Sequence, residues 1–299
     1  MDIPRRVRPR RSCHSVPATM ERMVARGRGL AADLVFIDME DSVPVPQRGE
    51  VARAAAASAL AGAFAATTVG VRVNAVGSPW FLGDVLALVG RVPRLDVLLV
   101  PKVRDTAQVA FICQLLDAVE HDRGLPAGSV GVELLVERAD AMLRVGDIAA
   151  ACPPRVEALV FGPGDFASSI EAPQRTIGEL PGAGEPDPQA YALFAMVLAA
   201  RAHGLQAVDG PYGVLGDAEG LRRAAGRARA LGCDGKWSIH PEQIAVLNEA
   251  FSASPSELEW AHGVMTALGE GGAAEMDGDM VDQATRRLAE AVLRRAPTA

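Results

Sequence analysis

The segment VGVELLVE, at residues 130–137, is a continuous apolar run that ends in a carboxylate, Glu137. In LVFGPGDF, at residues 159–166, Asp165 follows the next apolar run. Apolar runs of this length are typical of strands that are buried on both faces, as in parallel sheets. An ionised side chain is costly in a core unless it is paired or bound to a metal. The sequence therefore predicts a polar site where the carboxyl ends of parallel strands meet.

Other apolar runs of the chain also end in charged residues. Glu40 and Asp41 end LVFIDMED at residues 34–41, and Arg72 lies in VGVRVN at residues 69–74. In a parallel α/β barrel, the carboxyl ends of the strands carry the active site. We therefore expect these side chains to lie near Glu137 and Asp165.

Short apolar runs alternate with alanine-rich helical segments along most of the chain. About eight such units over roughly 250 residues favour an α/β protein with a (β/α)₈ TIM barrel. A doubly wound open sheet is the alternative, but no GxGxxG follows the first clear strand, which disfavours a dinucleotide-binding domain. The predicted strands lie at residues 12–16, 34–38, 69–74, 96–102, 130–137, 158–162, 206–210 and 236–240.

The sequence divides into three parts. Residues 1–10 are rich in arginine and predict a flexible basic tail in solvent. Residues 11–268 carry the strand–helix pattern and form the predicted barrel domain. The segment GEGGAAEMDGD at 269–279 interrupts the pattern, and we predict that it is a hinge before a final helix within 269–299.

The composition excludes several classes of partner. The chain has 299 residues and a net charge of −7, which argues against broad nucleic-acid binding. No segment reaches the roughly 20 apolar residues of a spanning helix, so we expect no membrane insertion. The four cysteines are far apart and form no CxxC pair, which predicts reduced, mostly buried thiols in a cytoplasmic protein.

Glu137 and Asp165 are candidate metal ligands. Mg²⁺ prefers oxygen ligands and is usually held by one or two carboxylates, with waters and substrate oxygens completing the shell. Two carboxylates from successive strands match that pattern. The alternative is that both are paired with cationic side chains at a barrel rim.

Arg72 and Lys102 are the cationic candidates. An arginine at this place can bind a carboxylate through two donors or stabilise an enolate oxygen. The alternative for Arg72 is a salt bridge to Glu40 or Asp41, and the two roles are compatible. Glu40 and Asp41 are adjacent, so on a strand they point to opposite faces, and at least one acts through a neighbouring group. Lys102 either contacts the substrate or pairs with an acid.

Nine segments, in this order, resemble the citrate lyase β-subunit-like family of CoA-thioester lyases, over about residues 10 to 296. Within that family, VDGPYG and DGDMVD look most like malyl-CoA and citramalyl-CoA lyases. The matching segments are RRSCHSVPA, VFIDMEDSV, VRVNAVGSPW, VLLVPKV, ELLVER, LVFGPGDFASS, VDGPYG, GKWSIHPEQIAVLNEAFSAS and DGDMVDQATRRLAEAVL.

The resemblance implies a (β/α)₈ barrel with a small C-terminal helical lid, assembled as a trimer or hexamer. It implies Mg²⁺ held by Glu137 and Asp165, and a 2-oxoacid of the glyoxylate or pyruvate type bound by Arg72. Asp282 of the tail motif would reach a neighbouring subunit's site as an acid or base. Taken without the resemblance, Asp282 is an ordinary acid at a helix start.

The resemblance also implies roles for residues around these ligands. Glu40 and Asp41 match an acidic pair that orders the waters of the metal and the arginine. Pro163 and Gly164, beside Asp165, are candidates for substrate binding. Arg11 is a candidate contact for a phosphate of CoA.

The implied reaction is reversible Claisen-type cleavage of a β-hydroxyacyl-CoA, such as malyl-CoA or citramalyl-CoA, into acyl-CoA and a 2-oxoacid. One alternative is thioester hydrolysis of malyl-CoA at the same site. Another is an acyl-CoA-binding or assembly subunit, as in carrier-dependent citrate lyase. A pyruvate aldolase that uses no CoA is a further alternative, and the tail motif argues against it.

The chain departs from the family pattern directly after Glu137. The common continuation is Thr-Ala-x-Gly, whereas Arg138, Ala139, Asp140 and Ala141 stand here. Ala141 in place of glycine predicts altered space near the substrate or CoA, and Arg138 adds a charge beside a metal ligand. The usual bulky apolar pair in the first strand is His14 and Ser15 in this chain. These changes leave the acyl group and the oxoacid open.

Overall fold

The computed structural model describes residues 4–182, 185–269 and 271–296. Eight parallel strands close into a barrel in the order β1 to β8, which confirms the predicted (β/α)₈ fold. The strands are β1 (Ser12–Pro17), β2 (Leu34–Asp38), β3 (Thr68–Arg72), β4 (Val97–Val100), β5 (Gly131–Val136), β6 (Val156–Phe161), β7 (Gln206–Asp209) and β8 (Gly235–Ser238).

Helices follow the strands, as the alternating sequence pattern predicts. Most have one buried face, which covers the outside of the barrel. They are α1 (Glu21–Gly27), α2 (Glu50–Leu60), α3 (Phe81–Leu88), α4 (Thr106–Asp122), α5 (Ala139–Met142), α6 (Val145–Ala150), α7 (Pro163–Ser169), α8 (Pro188–Ala202), α9 (Ala218–Ala230) and α10 (Glu242–Phe251), with a 3₁₀ turn at Val45–Gln47.

The interior of the barrel has an apolar middle layer. Successive side chains of a strand point to opposite faces, so every second residue enters the barrel. The rings of Phe36 and Trp237 are in contact there, with centroids 4.5 Å apart. The layer consists of Cys13, Leu34, Phe36, Val97, Leu99, Leu135, Val160, Val208 and Trp237.

A buried polar cluster fills the end of the barrel at which the strands begin. Arg10 is 2% exposed, and its guanidinium lies 2.9 Å from Glu133 and 2.7 Å from Glu157. Arg8 pairs with Glu157 at 2.8 Å. The prediction of a solvated tail is therefore wrong for Arg8 and Arg10, because strand residues that face the barrel interior supply carboxylates for them. A buried arginine is tolerated when its charge is matched in this way.

The chain forms two compact units, Met1–Leu247 and Asn248–Ala299. The second unit contains α11 (Pro255–Leu268), the antiparallel strands β9 (Ala273–Met276) and β10 (Asp279–Asp282), and α12 (Gln283–Leu293). Its small core consists of Ala261, Val264, Leu268, Val281 and Ala289. The division into a barrel at 11–268 and a lid at 269–299 stays a prediction.

Much of the segment 269–279 is a β-hairpin and not a hinge. Asp277 and Gly278 have φ values of 55° and 90° and join β9 to β10. Asp-Gly is a strong signal for a two-residue hairpin turn, because both positions of a type I′ turn need positive φ. The hairpin was not predicted, because the glycine-rich composition of the segment favoured a hinge.

All four cysteines are buried, in agreement with the prediction of mostly buried thiols. Within the described ranges, no helix combines the length and the apolar character that crossing a membrane requires.

Candidate active site

Arg72 and Asp38 form a paired unit at the carboxyl ends of β2 and β3. The two residues are register partners, and Arg72 donates from Nε to Oδ1 at 2.7 Å and from Nη2 to Oδ2 at 2.5 Å. Asp38 is fully buried. Asp38 was not among the residues predicted from the sequence, although the two-residue period that carries Leu34 and Phe36 into the barrel also places Asp38 there.

Arg72 has further contacts that fix its orientation. Its guanidinium carbon lies 5.5 Å from the ring centroid of Trp237, and Nη1 lies 3.4 Å from Oε2 of Glu40. Burial disfavours its charge, yet Asp38 and Glu40 raise the pKa of Arg72 above its usual value. Arg72 is therefore a permanent cation in a fixed position. Trp237 is a second residue of the site that was not predicted from the sequence.

Lys102 connects the acidic residues of the rim. Its Nζ lies 2.6 Å from Glu40, 2.9 Å from Asp41 and 3.6 Å from Asp165. Partial burial lowers the pKa of Lys102, but the opposite effect of Glu40 and Asp41 is larger, so the pKa of Lys102 is raised. Of the two roles predicted for Lys102, pairing with acidic residues is the one observed. The contacts also bring Glu40 and Asp41 into the predicted site.

Glu137 is nearly enclosed, with 3% of the residue exposed. Its Oε1 accepts a 2.7 Å hydrogen bond from the backbone N–H of Lys102. Burial raises the pKa of Glu137 to about 8; Arg72 opposes the rise, and the negative charges of Asp165 and Glu40 add to it. A Cβ at position 162 would overlap the Glu137 side chain, so Gly162 leaves the room that this carboxylate occupies.

Asp165 lies in the first turn of α7, and 41% of its side chain is exposed. The helix begins at Pro163, whose missing N–H and fixed φ suit that position. Gln189 donates a 3.2 Å hydrogen bond to the carbonyl of Pro163 and holds this turn. Pro163 and Gly164 therefore lie beside Asp165 at the rim, and their contact with a substrate stays a prediction.

The site has more negative than positive groups. Five carboxyl groups stand against two cations, namely Asp38, Glu40, Asp41, Glu137 and Asp165 against Arg72 and Lys102. A divalent cation near Glu137 and Asp165 would offset the excess, and it would stabilise the ionised form of a carboxyl that burial otherwise keeps protonated near neutral pH.

The donor set fits Mg²⁺ in particular. In the described part of the chain, no three His, Cys, Asp or Glu side chains form a complete metal-binding group. A cation held by Glu137 and Asp165 would therefore need waters or substrate oxygens as its other ligands. Mg²⁺ commonly binds in this way.

Two predicted residues belong to other elements of the structure. Arg11 precedes β1, so it is at the opposite end of the barrel, where it pairs with Asp33 at 2.7 Å. Its assignment as a phosphate contact at this site is therefore wrong. Asp282 belongs to the second unit, where its carboxylate caps α12 by accepting hydrogen bonds from the N–H groups of Ala284 and Thr285.

Comparisons with known proteins agree with this arrangement. The family model described as HpcH/HpaI aldolase/citrate lyase matches residues 11–241. The L-malyl-CoA/beta-methylmalyl-CoA lyase of Cereibacter sphaeroides is 35% identical, with 94% of this chain and 92% of that protein covered. A (3S)-malyl-CoA thioesterase of Cereibacter sphaeroides is 32% identical, with 92% and 90% covered.

A solved structure extends the comparison to ligands. The CitE protein of Mycobacterium tuberculosis, in complex with magnesium, acetoacetate and coenzyme A, superimposes with a TM-score of 0.73 at 29% identity, covering 95% of this chain and 97% of that chain. Fold, sequence and the polar rim of the barrel lead to the same assignment. The chain belongs to the HpcH/HpaI aldolase/citrate lyase family.

Proposed function

We propose that this protein is a Mg²⁺-dependent carbon–carbon lyase that cleaves or forms a β-hydroxyacyl-CoA of the malyl-CoA or citramalyl-CoA type. The products of cleavage are an acyl-CoA and a 2-oxoacid such as glyoxylate or pyruvate. The observation that carries the proposal is Arg72, fixed by Asp38 at the same rim as Glu137 and Asp165. The 35% identity to a malyl-CoA lyase supports it.

Glu137 and Asp165 would hold the Mg²⁺ ion. When bound, the ion supplies Lewis-acid stabilisation for the carboxylate and hydroxyl oxygens of the substrate. The structure with magnesium and coenzyme A from Mycobacterium tuberculosis supports this part of the proposal.

Arg72 would bind the 2-oxoacid half of the substrate. Cleavage removes the proton of the β-hydroxyl group, breaks the bond between the hydroxyl-bearing carbon and the carbon next to the thioester, and leaves the acyl-CoA as an enolate that then takes up a proton. A guanidinium that is fixed before the reaction stabilises developing negative charge on oxygen without reorganising. Its raised pKa suits Arg72 to this electrostatic role and not to proton transfer.

Asp38, Glu40 and Asp41 are positioning residues in this scheme. Asp38 orients Arg72 through two hydrogen bonds, whereas Glu40 and Asp41 hold Lys102. Pro163 and Gly164 would contact the substrate from the first turn of α7. Each of these residues would act at the carboxyl ends of the strands, which is the end that carries the active site in barrels of this kind.

Asp282 is the proposed acid or base, and it would act in the site of a neighbouring subunit of a trimer or hexamer. Backbone hydrogen bonds from Thr285 and Ala284 lower the pKa of Asp282. An ionised carboxylate can accept the proton of the hydroxyl group. The second unit would act as the lid, and the assembly would work in the cytoplasm.

A cleavage assay with malyl-CoA and citramalyl-CoA tests the proposal, with and without Mg²⁺ and with oxoacid and free CoA detected separately. Oxoacid without free CoA supports the lyase and identifies the oxoacid half. Free CoA with free malate and no oxoacid contradicts it and supports a thioesterase, the second candidate, which the 32% identity to a malyl-CoA thioesterase favours.

A third outcome is that neither oxoacid nor free CoA forms. If the protein binds acyl-CoA in the presence of Mg²⁺ but turns neither substrate over, the lyase proposal for these substrates fails. A carrier-dependent subunit of the citrate lyase β type then becomes the better assignment.

A further inference from the structure

Three arginines on the segments that follow β4 and β5 contact Asp140, two at its carboxylate and one at its backbone carbonyl, and we call them the arginine cluster. Arg138 donates from Nε to Oδ1 of Asp140 at 2.9 Å, and Arg104 reaches Oδ2 of the same carboxylate at 3.0 Å. Arg144 donates to the backbone carbonyl of Asp140 at 3.4 Å. Two separate loops of the rim thus converge on Asp140.

The arginine cluster has an excess of positive charge that is accessible to solvent. The side chains of Arg138 and Arg104 are 42% and 55% exposed. Asp140 neutralises one of the three guanidinium groups. Among the described residues, Nη1 of Arg138 has no hydrogen-bond partner, because its contacts to Asp140 use Nε and Nη2. The cluster can therefore take up a further anion.

The arginine cluster lies next to the proposed metal site. Arg138 directly follows Glu137, and consecutive Cα atoms are about 3.8 Å apart. The site itself has an excess of carboxylates, so it attracts a cation but repels an anionic substrate. Arginines at its edge would supply the opposite charge, and their planar, rigid donors suit carboxylate and phosphate oxygens.

We propose that the arginine cluster binds a second anionic group of the substrate, distinct from the carboxylate that Arg72 would bind. This inference rests on the proposed function, because it takes the rim as the substrate site. The ligand chemistry is an oxyanion, which comes either from a phosphate of CoA or from an additional carboxylate on the acid half. Arg104 and Arg138 would be determinants of specificity, not catalytic residues.

The test compares Arg138→Gln and Arg104→Gln with Arg201→Gln. Arg201 is a matched control because its side chain is also 42% exposed and pairs with one aspartate, Asp234, at 2.8 Å. Both residues of that pair precede the next strand, β7 or β8, so they lie at the end of the barrel where strands begin. Equal thermal midpoints for all variants would establish that the fold is intact.

Binding is measured by ligand-observed NMR titration in the presence of Mg²⁺, with four probes: CoA, dephospho-CoA, 2-oxoglutarate and pyruvate. We expect the cluster variants to bind one class of probe about tenfold more weakly, as loss of a charge-assisted hydrogen bond implies. Weaker binding of CoA would identify a phosphate of CoA as the bound anion. If dephospho-CoA binds the variants as tightly as it binds the wild type, that phosphate is the 3′-phosphate. Weaker 2-oxoglutarate binding with unchanged pyruvate binding identifies a second carboxylate.

Unchanged affinity for all four probes in both cluster variants overturns the inference. The cleavage assay on the wild type, run in parallel, separates this outcome from failure of the proposed function. If the wild type cleaves malyl-CoA while the variants bind normally, only the cluster assignment fails. If the variants lose binding and the wild type cleaves nothing, the anion site stands and the lyase assignment fails.

Discussion

The backbone N–H of Lys102 donates a 2.7 Å hydrogen bond to Oε1 of Glu137. The same residue has φ of 55°, in the left-handed region that non-glycine residues rarely adopt, and its Nζ bonds Glu40 and Asp41. One residue therefore connects the proposed metal ligand to the acidic pair. Uncommon backbone conformations of this kind are often found at functional sites.

Lys102→Met should tighten Mg²⁺ binding by a few-fold. The substitution removes a positive charge that lies 3.6 Å from Asp165, while it keeps the backbone N–H on Glu137. Less repulsion of a cation follows from Coulomb's law. Calorimetric titration with Mg²⁺ measures the affinity, and Lys102→Arg, which keeps the charge, is the control. Weaker binding than in the wild type would show instead that the ammonium arranges the carboxylates for the ion.

Asp165→Ala should abolish Mg²⁺-dependent turnover, because one of two proposed protein ligands is lost. Mg²⁺ titration and the cleavage assay on the same preparation check the two effects together. Asp147→Ala, which removes an exposed carboxylate from α6, should behave like the wild type. Retained Mg²⁺-dependent activity in Asp165→Ala would remove this residue from the metal site.

Gly162→Ala should displace Glu137 and weaken Mg²⁺ binding. The new Cβ would overlap the Cβ and Oε2 atoms of Glu137, and overpacking of this kind lowers the free energy of unfolding by about 1–3 kcal/mol. Chemical denaturation and Mg²⁺ titration measure the two losses. Gly146→Ala is the matched control, since a Cβ there would extend into open space. Normal Mg²⁺ affinity in Gly162→Ala would mean that Glu137 is not a ligand.

These contacts show which parts of the site the sequence could predict. Strand-end charges at Glu137 and Asp165 stood out because they interrupt apolar runs. Asp38 did not stand out, because two other acids follow it in LVFIDMED. Only the strand register shows that Asp38 is the one that lies directly beside Arg72. Trp237 was not predicted because it lies on β8 and contacts Arg72 of β3, two strands that are far apart in sequence and do not pair with each other.

The errors about Arg10 and Arg11 have a common physical cause, which is that sequence alone does not show which carboxylates lie close enough to pair with an arginine. Arg10 and Arg11 belong to one basic run at the end of the barrel where the strands begin. Arg10 is buried with two glutamates, whereas Arg11 pairs with Asp33. The partners of Arg10 are Glu133 and Glu157, which come from strands that are distant from it in sequence. The charge pattern of a tail could not reveal those partners.

His14 should make the stability of the fold depend on pH. It is 5% exposed, and its Nδ1 lies 2.8 Å from Oγ of Ser238. Burial, assisted by His240 and Arg26, lowers the pKa of His14 from 6.5 to about 4. The unfolded chain therefore binds more protons between these values, so the contribution is fully present above pH 6.5 and is lost as the pH falls towards 4.

The expected loss between pH 7 and pH 5 is about 2 kcal/mol in the free energy of unfolding. Denaturation curves at both pH values measure it, and His14→Gln, which cannot take up the proton, should lose less. An NMR titration of His14 gives the pKa directly. A value near 6.5 would contradict the prediction, since folded and unfolded chains would then bind protons equally.

Asp282→Ala should cripple cleavage while leaving Mg²⁺ binding intact, because Asp282 lies in the second unit and the proposed ligands lie in the first. Loss of the α12 cap lowers stability by about 1 kcal/mol, so Asp282→Asn, which can still cap the helix, is the matched variant. If only Asp282→Ala were impaired, the residue would be a cap and not an acid or base.

Co-expression of Asp282→Ala with Asp165→Ala tests whether the residue acts in a neighbouring subunit. In a mixed oligomer, a site can then combine the intact Asp165 of one subunit with the intact Asp282 of another, so part of the wild-type activity should return. If each site used its own Asp282, every site would lack one of the two carboxylates and the mixture would stay as inactive as its components. Recovery of activity would therefore establish both the role of Asp282 and the assembly of the sites from two subunits.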